Sequence, residues 1–269
     1  MSGIMEIVHI IPLGHELDRA IKPFKKYKAN RVYLLTIEKT EKIPYITDEM
    51  YKRQQHFLNL AKKALEDKGI EVKVEHTNIF EMLDVLRQVS KIVRKEKERK
   101  NMVYVNISSA GRLTSSAATL AAMAHGAKAY YVWADRYSKT EEEELQHGMS
   151  ICEGDKIIEL PNFHITLPDE ISCRLLSRLF KEERGMKTDE IINFLNELGI
   201  EDFDEKSLDI EKRKDKRQVQ QTFINRLNKK ILDKLELEGY IKREKSGRYS
   251  KIKITEAGKY IAHISGFIE

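Results

Sequence analysis

Cysteine is scarce. The 269-residue chain has two, Cys152 and Cys173, far apart and without a second pair, so neither a disulfide framework nor the paired spacing of a structural zinc site is present. Long apolar runs are missing as well: none approaches the roughly 20 residues that a membrane-spanning helix needs. The opening MSGIMEIVHIIPLG has neither the basic start nor the cleavage site of a secretory signal. A cytoplasmic protein without a membrane partner is expected. The common nucleotide fingerprints are absent too. No strand-end loop reads GxGxxG and no Walker lysine motif occurs, which disfavours a redox cofactor or a nucleoside triphosphate. No Ser-His-Asp or Cys-His order, HxxxH spacing or carboxylate pair marks a hydrolase, so no catalytic residue, metal ligand or cofactor is assigned.

What is present is a chain long enough for one large or two smaller domains, with 34% charged and 41% hydrophobic residues, the balance of a globular protein. Its charge is segregated. Asp169 to Glu211 holds 6 basic and 13 acidic residues, net −7, whereas Lys212 to Lys259 holds 16 basic and 6 acidic, net +10. That concentrated positive field suits a nucleic-acid-binding module.

Along the first 160 or so residues, short runs rich in Val, Ile and Tyr alternate with longer stretches of helical periodicity. The runs are Ile4 to Ile11, Arg31 to Ile37, Ile70 to His76, Met102 to Ser108 and Ala127 to Trp133, with one more strand expected at Asp155 to Pro161. Between them, DEMYKRQQHFLNLAKKALEDKG and IFEMLDVLRQVSKIVRKEKERK carry apolar helical faces. Strands alternating with helices predict a mostly parallel, Rossmann-like α/β sheet covered on both faces. LPDE at Leu167 to Glu170 marks a change to a mainly helical pattern, giving expected domains at 1–165 and 166–269.

In the second domain, DEISCRLLSRLFKEE and KTDEIINFLNELG predict two helices, the second with Thr188 as N-cap and Gly199 as stop. Val219, Phe223, Leu227, Ile231 and Leu235 then repeat every four residues, the stripe of a long amphipathic helix. Its exposed face is expected to carry Gln220, Gln221, Asn225, Arg226, Lys229 and Lys230, amides and cations suited to base edges and phosphates in a major groove of double-stranded DNA. A two-stranded hairpin with a Ser246-Gly247 turn places Lys242, Arg243, Lys245, Arg248 and Lys251 beside it. This is the layout of a winged helix-turn-helix domain. A winged helix used only for dimerisation is the alternative. The basic run KRKDKR, Lys212 to Arg217, reads more simply as a solvated linker.

The stretch NISSAGRLTSS, Asn106 to Ser116, follows the fourth strand and opens a helix rich in small residues. In an open parallel sheet, ligands sit beyond the carboxyl ends of the strands. Backbone N–H groups, the hydroxyls of Ser108, Ser109 and Thr114, the charge of Arg112 and the close approach allowed by Gly111 all favour an anion there. The first strand ends in a comparable loop, IPLGHELDR, with Gly14, His15 and Arg19. An ordinary strand-to-helix turn with Ser as N-cap is the alternative for SSAGR.

With a Rossmann-like half carrying NISSAGR after its fourth strand, and LEGYIKRE…GRYSKIKITEAGKYI in the wing, the chain resembles the CARF family. These are CRISPR-associated Rossmann-fold sensors, here in the form fused to a C-terminal winged helix, as in archaeal CRISPR-associated transcription regulators. The resemblance implies a homodimer whose paired sensor domains bind a cyclic oligoadenylate, commonly of four adenylates, with a role in antiviral defence. It carries ligand contact to Gly14, His15, Asn106, Ser108, Ser109, Gly111, Arg112 and Thr114. The expected function is a ligand-responsive DNA-binding regulator. The alternatives are a ring nuclease that degrades the cyclic signal, and a regulator sensing an unrelated metabolite.

Overall fold

Strands buried on both faces favour near-continuous apolar runs, and most of the runs read from the sequence are predominantly apolar. In the computed structural model, which describes residues 5–39, 43, 46–153, 156–208, 215–246 and 249–268 (residues 245, 246, 249 and 250 by backbone alone), they become β1 (Ile7–Pro12), β2 (Arg31–Thr36), β3 (Glu71–His76), β4 (Met102–Asn106) and β5 (Lys128–Val132). All pair in parallel, in the order β3-β2-β1-β4-β5, and β8 (Ile157–Glu159) adds antiparallel to β5. All six β2 residues are buried. β3 lies at an edge and keeps the charged pattern EVKVEH. The fold is thus α/β with a mostly parallel six-stranded sheet. The chain divides into units at residues 1–166 and 167–269.

The helices that cover the sheet are α1 (Leu17–Ile21), α2 (Asp48–Glu66), α3 (Met82–Glu98) and α4 (Arg112–Ala124). The Thr47 hydroxyl caps α2 by accepting from the Met50 N–H at 3.1 Å. Phe57, Ala61 and Leu65 of α2 pack with Ile11, Leu13 and Leu34 in one core cluster. In α4, Ala117, Ala118, Ala121 and Ala122 are buried. Their small side chains let that helix lie close to the sheet and to α3.

The run KTEEEE, Lys139 to Glu144, reads in the sequence as a solvated helix start, and it lies in the insertion between β5 and β8. There β6 (Arg136–Tyr137) pairs antiparallel with β7 (Ser150–Ile151) around α5 (Glu141–His147). Gly148 precedes β7 at φ +86°, and a Cβ on it would stand 2.5 Å from the Leu17 nitrogen. The insertion is therefore pressed against the loop that follows β1.

At the amino end of the sheet, the buried Glu96 carboxylate accepts from the Tyr33 hydroxyl, from Asn101 Nδ2 at 2.7 Å and from Arg31 Nη1 at 3.2 Å. Arg31 also reaches Glu71 and Glu6, at 2.7 and 2.9 Å. This network ties β1, β2, β3 and α3 at the edge opposite the carboxyl ends of the strands.

His9 sits in the sheet's interior, fully buried, stacked on Tyr104 at 4.9 Å and within 3.1 Å of the Tyr130 hydroxyl through Nδ1. Burial lowers its pKa to about 4. An unfolded chain takes up that proton near pH 6.5, so the unfolded state binds more protons between those two values. Acidification through this window therefore favours unfolding, by up to an order of 3 kcal/mol. His9→Gln is expected to lose less stability than the wild type between pH 7 and pH 4.5, which urea unfolding at the two pH values measures.

The second unit contains α6 (Glu170–Lys181), β9 (Met186–Lys187), α7 (Thr188–Glu197), α8 (Lys216–Leu227), a π-helical turn (Asn228–Leu232), α9 (Asp233–Leu237), β10 (Ile241–Ser246), β11 (Tyr249–Ile254) and α10 (Glu256–Ile264). The sheet order is β10-β11-β9, so the expected hairpin gains a short third strand. Thr188 is the first helical residue of α7 rather than its N-cap. The Glu190 carboxylate instead accepts from the Lys187 backbone N–H at 2.7 Å.

Val219, Phe223, Leu227, Ile231 and Leu235 are all buried in one cluster with Leu175, Leu179, Ile191 and Ile252. A repeat of four overshoots a 3.6-residue turn, and the π turn between Leu227 and Asp233 takes up part of that drift. Among the described residues, no helix is long and apolar enough to cross a membrane, and no cluster of His, Cys, Asp and Glu could hold a metal ion.

Candidate functional site

In the first unit the sheet changes direction between β1 and β4, and the loops after these two strands diverge around a cleft of about 710 Å³. This is the switch point at which open α/β sheets bind ligands. The two loops are clasped together: the Gly14 N–H donates to the Ser109 carbonyl at 2.7 Å, and a Cβ at Gly14 would sit 3.1 Å from that oxygen. Glycine thus permits the close approach that forms the floor of the cleft.

Helix α4 starts at this floor. Its N-cap is Gly111, with no side-chain capping bond, so Ser does not cap it. The N–H groups of its first turn lack a side-chain acceptor and the positive end of the helix faces the loop. Of the sequence-expected ligand residues, Gly14, His15, Ser108, Gly111, Arg112 and Thr114 line the cleft. Arg112 is exposed.

The hydroxyls are largely spent inside the protein. Ser108 Oγ donates to Asn106 Oδ1 at 2.6 Å and accepts from the Val132 N–H at 3.1 Å. Thr114 Oγ1 donates to the Ile79 carbonyl, fastening α4 to the loop after β3. Asn106 lies beneath the cleft, its Nδ2 donating to the Arg19 carbonyl at 2.9 Å and its Oδ1 accepting from the Ser108 N–H at 2.9 Å. Asn106 and Ser109 are fully buried and do not line the cleft. Asn106 shapes the loop through these bonds, whereas the buried Ser109 Oγ has no hydrogen-bond partner.

Arg19 is the residue whose weight the sequence under-reported. It is 8% exposed and lines the cleft. Nη1 donates to the Ser108 carbonyl at 3.1 Å, the guanidinium lies 5.2 Å from the centre of the Tyr131 ring, and Nε has no hydrogen-bond partner. Its nearest carboxylate, Glu16, stands 3.7 Å away. Burial raises the Glu16 pKa, opposed by the charge of Arg19 and by hydrogen bonds from Ser150. Glu16 accepts from Ser150 Oγ at 3.0 Å and so links the β1 loop to β7.

His15 is lowered from its ordinary pKa by burial first and by the charge of Arg53 second, with Glu144 opposing. At neutral pH it is an uncharged imidazole that can donate or accept. The cleft wall also includes Phe80, Tyr137 and Met149, at 41%, 68% and 50% exposure. Apolar walls over a cationic floor suit a ligand that carries both phosphates and flat bases.

In the second unit, Gln220, Gln221, Asn225, Lys229 and Lys230 are exposed and Arg226 is half-buried. Gln220 Nε2 donates to Asp189 Oδ1 at 3.0 Å. Arg226 Nη1 donates to the Asp202 carbonyl at 2.7 Å and to Ser207 Oγ at 2.8 Å. Lys230 Nζ meets Asp202 Oδ2 at 2.6 Å. In the wing, Arg243 pairs with Asp233 and Glu236, while Lys242 pairs with Glu244. Arg248 and the side chain of Lys245 lie outside the described residues, as do Lys212 to Lys214 of KRKDKR.

Residues 7–137 match the family model described as "HFX_2341_N:-like, N-terminal", and residues 172–266 the one described as "DUF6293 C-terminal winged helix domain". Over 203 residues the chain is 25% identical to Uncharacterized protein MJ1513 of Methanocaldococcus jannaschii; the match takes in 71% of this chain and 56% of that one. The chain therefore spans little more than half the length of this curated relative. Among solved structures, Csm6 of Enterococcus italicus bound to cyclic hexa-2′-fluoro-hexa-dAMP aligns over 88% of this chain and 55% of its own, at 12% identity and a TM-score of 0.39. Can2 of Sulfobacillus thermosulfidooxidans in complex with cyclic tetra-adenylate aligns over 95% and 63%, at 14% identity and a TM-score of 0.38. The two family models thus match separate parts of the chain, residues 7–137 and residues 172–266.

Proposed function

We propose that this protein is a ligand-responsive DNA-binding regulator whose sensor domain takes a cyclic oligoadenylate in the cleft between the β1 and β4 loops. The observation that carries this reading is the convergence of an uncapped helix start at Gly111 with the buried Arg19 guanidinium at one floor. Both favour phosphate: the helix start has no side-chain cap, and Arg19 Nε makes no hydrogen bond and only a 3.7 Å ion pair with Glu16. Ring size and base follow from the CARF resemblance.

A homodimer completes the site in this reading. Leu113 and Leu120 stand 62% and 37% exposed on α4 beside the cleft, an apolar strip suited to a second copy. Two-fold symmetry would supply each phosphate-binding group twice to a symmetric ligand. The ligand would shift the two winged helices between arrangements that differ in their match to two DNA half-sites, coupling the two affinities in both directions.

Calorimetric titration of the purified protein with cyclic tetra-adenylate, with mass spectrometry of the recovered ligand, tests the reading. Saturable binding at one ligand per two chains with the ligand intact supports it. A linear product would move the protein to the ring nucleases, and no binding would remove this ligand and leave a sensor of another metabolite.

A further inference from the structure

The amphipathic helix α8 has more polar surface than any one groove can meet, and its hydrogen bonds divide that surface in two. Val219, Phe223 and Leu227 mark the core side. Flanking them on the helix circumference are Gln220, held by Asp189 of α7, and Arg226, held by the Asp202 carbonyl and Ser207. One turn on, Lys230 is held by the Asp202 carboxylate. These three side chains are tied to neighbouring elements of the same unit.

Opposite the core stand Arg217, Gln218, Gln221 and Asn225, all exposed. Their spacing of one, four and eight residues from Arg217 keeps them on one face. The Gln221 amide donates to Asn225 Oδ1 at 3.1 Å, so the two amides hold one another in place with Asn225 Nδ2 and Gln221 Oε1 still available. A guanidinium and three amides are the groups that pair bidentately with guanine and adenine edges. The stretch 212–259 around them carries a net +10, which complements a polyphosphate.

We infer that base reading in the major groove of duplex DNA belongs to the face formed by Arg217, Gln218, Gln221 and Asn225, whereas Gln220, Arg226 and Lys230 are braces that set the angle of the helix. This rests on the DNA-binding reading above and refines it. Arg217 and Gln218 join the reading face although the sequence pattern placed Arg217 in a linker. Arg226 leaves it because its guanidinium is committed to a carbonyl and a hydroxyl.

The test is selection from a random duplex library with the full chain, followed by affinities of wild type and variants for the selected site and for random duplex. Gln221→Ala and Asn225→Ala are expected to reduce the ratio of the two affinities about tenfold or more, the loss of a bidentate base contact. Gln220→Ala and Arg226→Ala are expected to hold that ratio within about twofold, Arg226→Ala with a lowered unfolding temperature. Should Arg226→Ala fail to fold, Gln220→Ala still provides the comparison. A ratio that collapses in the brace variants and survives in Gln221→Ala and Asn225→Ala overturns the assignment. Binding without any enriched site also overturns it while leaving DNA binding intact. No binding to any duplex at low salt instead removes the DNA-binding reading itself.

Discussion

Arg19→Ala is expected to lower affinity for cyclic tetra-adenylate thirtyfold or more, a larger loss than Arg112→Ala causes. Both side chains line the cleft, but their surroundings differ. Arg112 is exposed at the first position of α4, where water and salt screen its charge within about 10 Å at 0.1 M ionic strength. Arg19 is 8% exposed, and its Nε makes no hydrogen bond, only a 3.7 Å ion pair with Glu16. A desolvated guanidinium without a full complement of acceptors gains most from a phosphate, and removing one partner of a buried charge pair costs about 2–5 kcal/mol. The same titration in low and high salt separates the two residues. The Arg112→Ala loss should shrink as salt rises and the Arg19→Ala loss should persist. Arg19→Lys keeps the charge but loses the planar fork and the stacking on Tyr131, so it should fall between. Equal affinity for Arg19→Ala and wild type would show that no phosphate reaches the cleft floor.

The position of Arg19 bears on how far the sequence reveals such a site. Parallel strands were legible because burial on both faces favours near-continuous apolar runs, and Val32 to Leu35 of β2 is a clear case, although Arg31 and Thr36 at its ends are buried too. The loops after β1 and β4 were legible because Gly14 and SSAGR stand at strand ends. What each hydroxyl does was not. Ser108 and Thr114 look alike in the sequence, yet one serves the backbone of Val132 and the other the carbonyl of Ile79, partners 24 and 35 residues away. Such pairings arise only when distant segments meet.

Two-residue strands such as β6, β7 and β9 hold no periodicity to read, so of the insertion that brings Tyr137 and Met149 to the cleft only the helix start at KTEEEE was legible. Arg226 did have one. It lies three residues after Phe223 and seven after Val219, which puts it beside the apolar stripe rather than opposite it. Counting cations on a helix exaggerates what that helix can present.

Glu96→Ala is expected to cost about 3–5 kcal/mol of stability, the range for removing one partner of a buried ion pair. The carboxylate is fully buried and accepts from Tyr33, Asn101 and Arg31, so truncation orphans donors on β2 and ahead of β4 as well as leaving the guanidinium to Glu71 and Glu6. Burial works against the charged form of Glu96. Hydrogen bonds from Tyr33 and Asn101 and the charges of Arg31 and Arg99 outweigh it and hold the pKa below the ordinary value. A depressed carboxyl pKa contributes stability above the unfolded value, near 4.3, and that contribution disappears as pH falls. Glu96→Gln keeps the shape and removes the charge, so its loss at neutral pH should be smaller than that of Glu96→Ala, and its stability should decline less on acidification than the wild type's. Urea unfolding followed across pH measures both. The network stands at the amino ends of the strands and the cleft at their carboxyl ends, so folded Glu96→Gln should bind cyclic tetra-adenylate as the wild type does. A loss of ligand affinity in a fully folded variant would mean that the two ends of the sheet are mechanically coupled, and that the cleft's geometry depends on how β1 and β2 are anchored.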